Sequence, residues 1–198
     1  LASIVLDISA PRIGILENVN VTLNRGELVI LGGSVGSGKS TLLSTMACAR
    51  PLTKGHRRVV GRRCYVSQKP FLLNDTFKAN ILMGLPYHEG RYKASIEKSA
   101  LEVDLKSMVK GDATKVGSNG VQLSGGQRAR ICLARALFSD ADMYFFDDIL
   151  SAVDAHTGAH IWKRSILPLL KDGRKTVVLA THQLQYAKDT CVTRFIWL

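Results

Sequence analysis

A glycine-rich octapeptide carries the residues with the clearest chemistry in this sequence. Residues 33–40 read GSVGSGKS and match the pattern GxxxxGK[ST], after an apolar run and before a helical pattern. Glycines let the backbone wind tightly and direct N–H groups at phosphate, and the following helix N-terminus adds a positive partial charge. In this pattern Lys39 reaches the β and γ phosphates and the Ser40 hydroxyl ligates Mg²⁺. A merely flexible glycine turn is the alternative. The predicted phosphate-binding loop comprises Gly33, Ser34, Val35, Gly36, Ser37, Gly38, Lys39, Ser40 and Thr41.

Two adjacent carboxylates follow the apolar run MYFF at residues 143–146. Asp147 ends the apolar run, and an acid in this position can cap a helix or turn. Asp148 occupies a place where a hydrolytic enzyme might keep its catalytic base. Its alternative is a solvated acid beside a functional one, and the pair alone does not decide between the two.

A second motif, LSGGQ at residues 123–127, also precedes a helical pattern. Ser124 followed three residues later by Gln127 fits a capping box, in which each side chain satisfies a free backbone N–H at the helix start. Capping does not explain Gly125 and Gly126, because glycine within a helix costs about 1 kcal/mol relative to alanine. Bare backbone donors at a helix N-terminus would instead suit a second phosphate contact.

The elements that must position these motifs include strands at both ends of the chain. In the first 31 residues, SIVLDIS and ILENVNVTL have strand patterns, ELVIL is a continuous run of the buried type, and NRG at 24–26 is predicted to be a turn. MYFF, then KTVVLA at 175–180, then RFIWL at the C-terminus supply later strands, separated by helical stretches. Alternating β and α units indicate a mainly parallel sheet.

A helical pattern interrupts these strands from residue 70 to residue 139. YKASIEKSALEVDL places Ile96, Ala100, Leu101 and Leu105 on one helical face, and GQRARICLARALF is helical again. We therefore predict an α/β core from residues 1–69 and 140–198, and a helical subdomain at 70–139 that carries the LSGGQ motif. The chain begins and ends inside strand-like segments, which suggests an excised domain.

Composition sets broad limits on the class of protein. The 198 residues are 46% hydrophobic and 22% charged, as in an ordinary globular domain. No apolar run approaches the roughly 18 residues of a membrane-spanning helix, so the chain is expected to be soluble. The four cysteines support neither a zinc site nor a disulfide framework. A net charge of +11 suits nucleic acid, an acidic membrane surface or a polyphosphate ligand. The densest basic run, GHRRVVGRR at 55–63, is predicted to be a solvated turn and strand edge rather than a nucleic-acid patch.

Taken in order, the motifs resemble those of the nucleotide-binding domains of ABC transporters. GSVGSGKST, YVSQKP with Gln68, LSGGQ, MYFFDD, SAVD at 151–154 and THQ with His182 follow the family's order over essentially the whole chain. Six motifs in the correct order are far more specific than any one of them. The segment SQKPFLLNDTFKANILMG, the SAVD spelling and the DD pair resemble the C subfamily, the multidrug-resistance-associated transporters, and particularly the first of their two nucleotide-binding domains.

The resemblance implies a fold and a set of site residues. The fold is α/β, a P-loop NTPase with a RecA-like core and a mainly parallel sheet, an N-terminal antiparallel β part and an inserted helical subdomain. ATP and Mg²⁺ are the implied cofactors, with Ser40, Gln68 and Asp147 as metal contacts. Gln68 would also contact the attacking water, and His182 would touch the γ-phosphate. Taken alone, a histidine after a buried strand is more often structural.

The resemblance also implies partners. The four signature residues would bind the nucleotide held by a second nucleotide-binding domain, in a head-to-tail dimer that sandwiches two ATP molecules. They are Ser124, Gly125, Gly126 and Gln127. Asp154 would lie at that interface and couple the two sites. Gln68 would relay nucleotide state to the transmembrane domains of the same transporter, which places the domain at the cytosolic face of a membrane and implies export of drug or organic-anion substrates. No nucleic-acid partner is expected.

Two positions depart from the family pattern. Strongly hydrolytic members have glutamate at the position of Asp148, and aspartate shortens the arm by one methylene, so we expect a weakened base and slow turnover. The family usually places an aromatic that stacks on adenine ahead of the phosphate-binding loop, and by spacing Ile8 stands there. No aromatic occurs before Tyr65, so preference for ATP over GTP is expected to be within about tenfold.

Two other functions remain open at this stage. One is a regulatory nucleotide sensor in a channel-associated member of the same subfamily, which the same departures fit equally well. The other is a soluble ATPase associated with nucleic acid or ribosomes. Chromosome-maintenance relatives insert a long coiled coil between the phosphate-binding loop and the signature helix, whereas Gln68 and Ser124 are only 56 residues apart (124 minus 68). Translation-factor relatives would be expected to keep glutamate at position 148.

Overall fold

Two β-sheets form the framework of the chain, whose computed structural model describes residues 4–117 and 120–198. The strands are β1 (Ile4–Ile13), β2 (Leu16–Asn24), β3 (Leu28–Gly32), β4 (His56–Val59), β5 (Arg63–Val66), β6 (Met143–Asp147), β7 (Thr176–Ala180) and β8 (Arg194–Trp197). The larger sheet has the order β5-β6-β7-β3-β8, and the smaller has the order β2-β1-β4. The predicted combination of a main sheet and an N-terminal β part is therefore present.

Seven α-helices accompany the sheets in the described part of the chain. They are α1 (Lys39–Met46), α2 (Phe77–Leu82), α3 (Glu89–Lys98), α4 (Glu102–Ser107), α5 (Gly125–Ser139), α6 (Ala155–Ile161) and α7 (Leu167–Leu170). A π-helical segment, Trp162–Ile166, joins α6 to α7, and 3-10 turns lie at Gly111–Ala113 and Leu184–Lys188. None of the helices within residues 4–117 and 120–198 is long and apolar enough to cross a membrane.

The five-stranded sheet is parallel throughout its ladders, and its central strands are fully covered. All four strand pairs are parallel, and β3, β6 and β7 are buried at each of their five positions. Continuous apolar runs such as MYFF and TVVLA are what a sheet with both faces covered requires. Both pairs of the smaller sheet are antiparallel. The predicted fold class is confirmed.

The parallel arrangement gathers the ends of several strands at one edge. The phosphate-binding loop follows β3, Gln68 comes two residues after β5, Asp147 ends β6, and His182 comes two residues after β7. Because the strands run in one direction, these segments meet at the carboxyl edge of the sheet, where open α/β sheets bind ligands.

The basic run at 55–63 lies at a sheet edge, as predicted. His56–Val59 forms β4, an outer strand of the smaller sheet, with alternating exposed and half-buried side chains. Arg57 donates to the carbonyls of Thr45 and Arg50 at 2.6 and 2.9 Å. Part of this positive charge therefore serves the fold.

Helix α5 connects two separate apolar clusters. Ile131 and Phe138 pack with Phe77 in a cluster that includes α2 and α3, whereas Leu133 and Ala136 pack into the cluster on one face of the parallel sheet. The signature helix is thereby fixed to the helical part and to the sheet at once. The subdomain boundaries at residues 70 and 139 stay a prediction.

One helical prediction was wrong in its continuity. Ile96, Ala100, Leu101 and Leu105 were expected on one face of a single helix, but α3 ends at Lys98 and α4 begins at Glu102. Ala100 adopts a left-handed φ of 58°, and Leu101 N–H donates back to the Ile96 carbonyl at 3.1 Å. The turn carries Leu101 into the apolar cluster, where it is fully buried. Tertiary burial therefore overrides the local periodicity here.

Candidate functional site

A cleft of about 410 Å³ opens at the carboxyl edge of the parallel sheet. This volume is within the range of about 300–1,000 Å³ typical of small-molecule sites. The sequence-predicted residues that line it are Val35, Gly36, Gly38, Lys39, Ser40, Thr41, Gln68, Asp147, Asp148 and His182. The structure therefore brings together residues from four separate segments that the sequence had singled out.

The phosphate-binding loop takes a backbone path that only glycine readily follows. Gly33, Gly36 and Gly38 have φ values of 145°, 83° and 99°, all in the region that L-residues rarely adopt. A Cβ at Gly33 would lie 2.4 Å from the carbonyl oxygen of Leu198. Gly38 then caps the start of α1. The loop and helix together form the backbone cradle that the glycine pattern predicts.

Lys39 lies inside this cradle. It is buried, and its Nζ donates to the carbonyls of Gly33 and Ser34 at 3.0 and 2.7 Å. The Ser37 hydroxyl oxygen is buried and has no hydrogen-bond partner within the described residues. A cation enclosed by its own loop and an unpaired buried hydroxyl both fit a loop built to hold an anionic ligand.

Asp147 is joined directly to the helix that follows the loop. The Ser40 hydroxyl donates to Asp147 Oδ1 at 2.9 Å, and the Tyr65 hydroxyl donates to Oδ2 at 3.2 Å. Burial raises the pKa of Asp147, and these two hydrogen bonds act in the opposite direction. A hydroxyl and a carboxylate in contact form an oxygen donor set that suits Mg²⁺.

Tyr65 was missed by sequence reasoning. Burial, reinforced by the Asp147 carboxylate, raises its pKa to about 12, so the phenol remains a proton donor at neutral pH. The pairing of β5 with β6 sets Tyr65 opposite Phe145. The only signal in the sequence was its position in the strand that leads to Gln68.

Asp148 has a different environment from its neighbour. It has a left-handed φ of 50°, its N–H donates to the Ala180 carbonyl at 2.8 Å, and it is only 8% exposed. The Thr181 hydroxyl donates weakly to its Oδ1 at 3.5 Å. Asp148 is therefore not a solvated surface acid, because it is held at the wall of the cleft beside Asp147.

Gln68 and His182 both line the cleft with exposed side chains. Asp154 lies outside it and caps α6, accepting from the Thr157 backbone N–H at 2.9 Å and from its hydroxyl at 2.7 Å. The backbone hydrogen bond is the main cause of a lowered pKa for Asp154. Asp154 is therefore anionic at neutral pH.

The signature residues 124–127 do not line this cleft. The predicted capping box is present: Ser124 Oγ accepts from Gln127 N–H at 3.1 Å, and Gln127 Oε1 accepts from Ser124 N–H at 2.9 Å. Gln127 Nε2 also donates to Asp104 at 2.9 Å. The capping box therefore explains the serine and the glutamine, but it does not explain Gly125 or Gly126.

The two glycines differ in their surroundings. A Cβ on Gly126 would lie 2.9 Å from the Ala152 carbonyl oxygen, so close packing explains this residue. A Cβ on Gly125 would meet no atom within 4 Å. Nothing in the described chain therefore requires glycine at position 125.

The expected position of the adenine platform was wrong. Ile8 is fully buried in β1 within the apolar cluster between the sheets, and it does not line the cleft. The hairpin turn between β1 and β2 lies at the cleft instead, with Gly14 and Ile15, and Ile15 is 63% exposed. The spacing argument failed because it counted residues along the chain, whereas the side chain of Ile8 points into the apolar cluster and the hairpin turn reaches the cleft. None of the described residues that line the cleft is aromatic.

Comparison with known proteins gives a consistent result. The family model described as "ABC transporter" matches residues 16–151. The chain is 44% identical over 171 residues to "ABC transporter C family member 3" of Dictyostelium discoideum, covering 86% of this chain and 12% of that protein. It is 44% identical over 173 residues to "ATP-binding cassette sub-family C member 4" of Homo sapiens, covering 87% of this chain and 13% of that protein. It is 43% identical over 175 residues to "Multidrug resistance protein mrp-7" of Caenorhabditis elegans, covering 87% and 11%. The chain thus spans about an eighth of the length of these curated relatives.

Proposed function

The chain belongs to the ABC transporter family, as a nucleotide-binding domain similar to those of the C family, and from this premise we propose that it binds MgATP in the described cleft to drive a membrane exporter. The observation that carries the proposal is the 2.9 Å hydrogen bond between Ser40 and Asp147. It joins the helix of the phosphate-binding loop to the end of β6, across 107 residues of sequence. A hydroxyl and a carboxylate are thereby placed together beside Lys39, as a metal–polyphosphate ligand requires.

Different residues of the cleft would bind the phosphates and the metal ion of the ligand. The loop N–H groups and Lys39 would hold the phosphates, and Ser40, Asp147 and Gln68 would hold Mg²⁺. Bound Mg²⁺ would neutralise phosphate charge and polarise the terminal phosphoryl group. His182 would contact the terminal phosphate from the end of β7.

We expect slow hydrolysis at this site. Asp148 is the acid available to orient the attacking water, and its backbone is fixed by the hydrogen bond to Ala180. A side chain one methylene shorter than glutamate cannot recover the missing reach by a backbone shift. A misplacement of about 1 Å costs on the order of 100-fold in rate. The site would therefore hold ATP longer than it cleaves it.

We expect the signature motif to contact a second nucleotide-binding domain. Residues 124–127 lie outside the cleft, so one chain supplies parts of two different sites. Gly125 has open space at the start of α5, where backbone N–H groups face outward. A phosphate brought by a partner domain would account for a glycine that its own chain does not need. Asp154 would lie at the same head-to-tail interface.

Several exposed apolar side chains follow Gln68 in the sequence and suit the transmembrane domains as the other partner. Phe71, Met83, Leu85 and Tyr87 are 61%, 42%, 43% and 51% exposed. Contact with a partner would remove these apolar side chains from water. Their position after Gln68 would let nucleotide binding in the cleft reach this surface. The domain would then lie at the cytosolic face of a membrane and power export of drug or organic-anion substrates.

A regulatory nucleotide sensor is the second candidate function. The short acid at position 148 favours a site in which ATP stays uncleaved for long periods, which suits a sensor as well as an exporter. Solute transport measured with the full-length protein would support the exporter. A nucleotide-dependent channel current without transport would support the sensor instead.

Binding of MgATP to the chain tests the proposal directly. Isothermal titration calorimetry compares wild type, Lys39→Ala and the control Lys188→Ala, whose exposed side chain lies outside the cleft. Removing Lys39 deletes charge-assisted contacts with phosphate, so we expect a loss of more than about tenfold in affinity. The control should bind as wild type does. Equal affinity of all three proteins, with circular dichroism showing each of them folded, would refute the assignment.

A further inference from the structure

A second cavity, of about 480 Å³, lies at the opposite edge of the parallel sheet. Arg62, Asp142 and Lys175 line it, and each is the residue directly before a parallel strand. β6 runs four residue steps from Met143 to Asp147, so about 13 Å of strand separates this edge from the nucleotide cleft. The cavity is therefore distinct from the site described above.

Positive charge dominates this cavity. Six cationic side chains line it, against three carboxylates, Asp140, Asp142 and Asp172. The six are Arg25, Arg62, Arg91, Lys98, Arg174 and Lys175. The formal difference is +3 (six minus three) around a single recess.

Two of the six cations are already neutralised. Lys175 pairs with Asp140, and Arg62 approaches Asp142 with its Nε at 3.9 Å while its backbone N–H donates to the same carboxylate at 2.7 Å. Burial alone would raise the pKa of Asp140, but the hydrogen bond and charge of Lys175 hold it below the usual value. Asp140 is therefore anionic at neutral pH, and both acids already contact these cations.

The other four cations form no ion pair with any acid among the residues that the structure describes. Arg25 uses its Nε on the Arg174 carbonyl at 2.9 Å, and Arg91 uses one Nη on the Phe138 carbonyl at 3.4 Å. Lys98 and Arg174 make no side-chain hydrogen bond within residues 4–117 and 120–198. Among the described lining residues, Asp172 is the acid without an ion pair, and Asp140 also lies within electrostatic range of Arg91.

The walls of the cavity are fixed relative to one another. Ser165, in the π-helical segment, donates to the Lys98 carbonyl at 2.6 Å and so joins that segment to the end of α3. Leu137, Pro168 and Leu169 supply an apolar lining between the charged groups. The segments that form the recess are thus already joined, so anion binding would have to order the free cationic side chains but not these segments.

We propose that this cavity binds a small polyphosphorylated anion, with Arg25, Arg91, Lys98 and Arg174 as the contacting side chains. Arginine offers a planar pair of donors that matches phosphate, and lysine adds a point charge. A recess of this volume takes a compact ligand such as an inositol polyphosphate, free or as a lipid headgroup. A nucleic-acid duplex is too wide to enter it.

Titration with myo-inositol hexakisphosphate tests the proposal. Calorimetry is carried out in the Lys39→Ala background, so that anion binding at the phosphate-binding loop is weakened, and the outcome is independent of MgATP binding. We expect binding that the double substitution Lys98→Gln and Arg174→Gln weakens by more than about tenfold, since two charge-assisted contacts are lost. The matched double control, Lys110→Gln and Lys188→Gln, removes the same number of charges from exposed positions outside the cavity. It should change affinity by less than about twofold.

A further variant keeps the proposal falsifiable if the double substitution unfolds. Asp172→Asn removes the unpaired acid of the cavity and should strengthen binding by about two- to fivefold. No binding of the probe, or equal losses in the cavity and control double variants, would overturn the proposal, as would weaker binding by Asp172→Asn. Vesicles of phosphatidylcholine with and without phosphatidylinositol 4,5-bisphosphate identify the source of the ligand. Retention that depends on Lys98 and Arg174 indicates a lipid headgroup, and binding of the soluble probe alone indicates a free metabolite.

Discussion

Asp147 and Asp148 are adjacent residues of the same type, yet the fold gives them different tasks. Asp147 ends a buried strand and accepts hydrogen bonds from Ser40 and Tyr65. Asp148 turns into a left-handed conformation and faces the cleft with one weak hydrogen bond, from Thr181. The first carboxylate is positioned by donors, as a metal ligand must be. The second remains available to a water molecule.

We predict that Asp147→Asn makes the ligand-free fold more stable. Burial raises the pKa of Asp147 from 3.8, so the wild-type carboxyl stabilises the fold fully below about pH 3.8, and this contribution is lost as pH rises through the folded-state pKa. Removing the charge should therefore stabilise the fold at pH 7, by about 0.5–2 kcal/mol. Urea unfolding at pH 7 and at pH 3 measures the difference, which should shrink at the lower pH.

MgATP should stabilise the Asp147→Asn variant less than it stabilises the wild type. Asp142→Asn is the matched control, because Asp142 lies outside the cleft. A variant that is less stable than wild type without ligand, or that keeps the full response to MgATP, would contradict the role given to Asp147.

The exposed position of Ile15 at the cleft allows a test of how the site recognises the nucleotide base. Wild type should bind ATP and GTP within about tenfold of each other, since no aromatic side chain lines the described cleft. Ile15→Trp adds a stacking surface at the hairpin turn and should strengthen ATP binding by about 1 to 3 kcal/mol. Val109→Trp, at a fully exposed position outside the cleft, is the control. Calorimetry with both nucleotides distinguishes the cases, and a strong ATP preference in wild type would show that the base is read elsewhere.

At the scale of elements, α5 joins the signature motif to the rest of the molecule. Asp104 in α4 pairs with Arg130 at 2.7 Å and accepts from Gln127 at 2.9 Å, and both side chains of the ion pair are largely buried. The capping residue and the first turns of α5 are thereby tied to α4. The first turn of α5 is consequently held in place and does not fray.

The two glycines of the signature motif should respond differently to alanine. Gly125→Ala meets no neighbouring atom, so the stability of the chain should be unchanged or rise by up to about 1 kcal/mol. Gly126→Ala brings a Cβ to 2.9 Å from the Ala152 carbonyl oxygen, so the chain should lose about 1–3 kcal/mol. Thermal and urea unfolding measure both effects.

Substitution at position 125 should reduce activity without reducing the stability of the fold. If a partner's phosphate approaches the start of α5, Gly125→Ala should reduce ATP hydrolysis by the assembled transporter by more than about tenfold, despite its intact fold. Full activity in a protein that carries Gly125→Ala would remove the reason for placing a second nucleotide there.

At the scale of the whole molecule, several arginines serve the fold. Arg135 donates to the carbonyls of Phe71 and Asn80 at 3.0 and 2.8 Å, and Arg194 pairs with Glu27 at 3.0 Å. Such residues contribute to the net charge of +11 without offering a site to a polyanion. Among the cations without acid partners, Lys39 lines the nucleotide cleft, and Arg25, Arg91, Lys98 and Arg174 line the cavity at the opposite edge of the sheet. Nucleotide binding and the proposed anion site thus use opposite edges of one sheet.

Local patterns predicted the parts of the structure that depend on local chemistry. Strands β1, β2, β3, β6, β7 and β8, the glycine path before α1 and the capping box of Ser124 follow from preferences over a few residues, whereas β5 was not predicted. Tyr65 and Ile15 could not be placed this way, because strand pairing and a hairpin turn bring them to the cleft. The break at Ala100 was missed for a related reason, since burial of Leu101 against residues distant in sequence decides it.

The central claim is that this site holds MgATP and cleaves it slowly because Asp148 is a shortened base. A single-turnover experiment loads γ-labelled MgATP into the transporter assembled around this chain and follows conversion of the bound nucleotide to ADP. Wild type, Asp148→Glu and the control Asp148→Asn are compared after binding has been matched. We predict that the nucleotide stays ATP in wild type and in Asp148→Asn, and is cleaved on the order of 100-fold faster in Asp148→Glu. Rapid cleavage in wild type that glutamate barely changes would contradict the account.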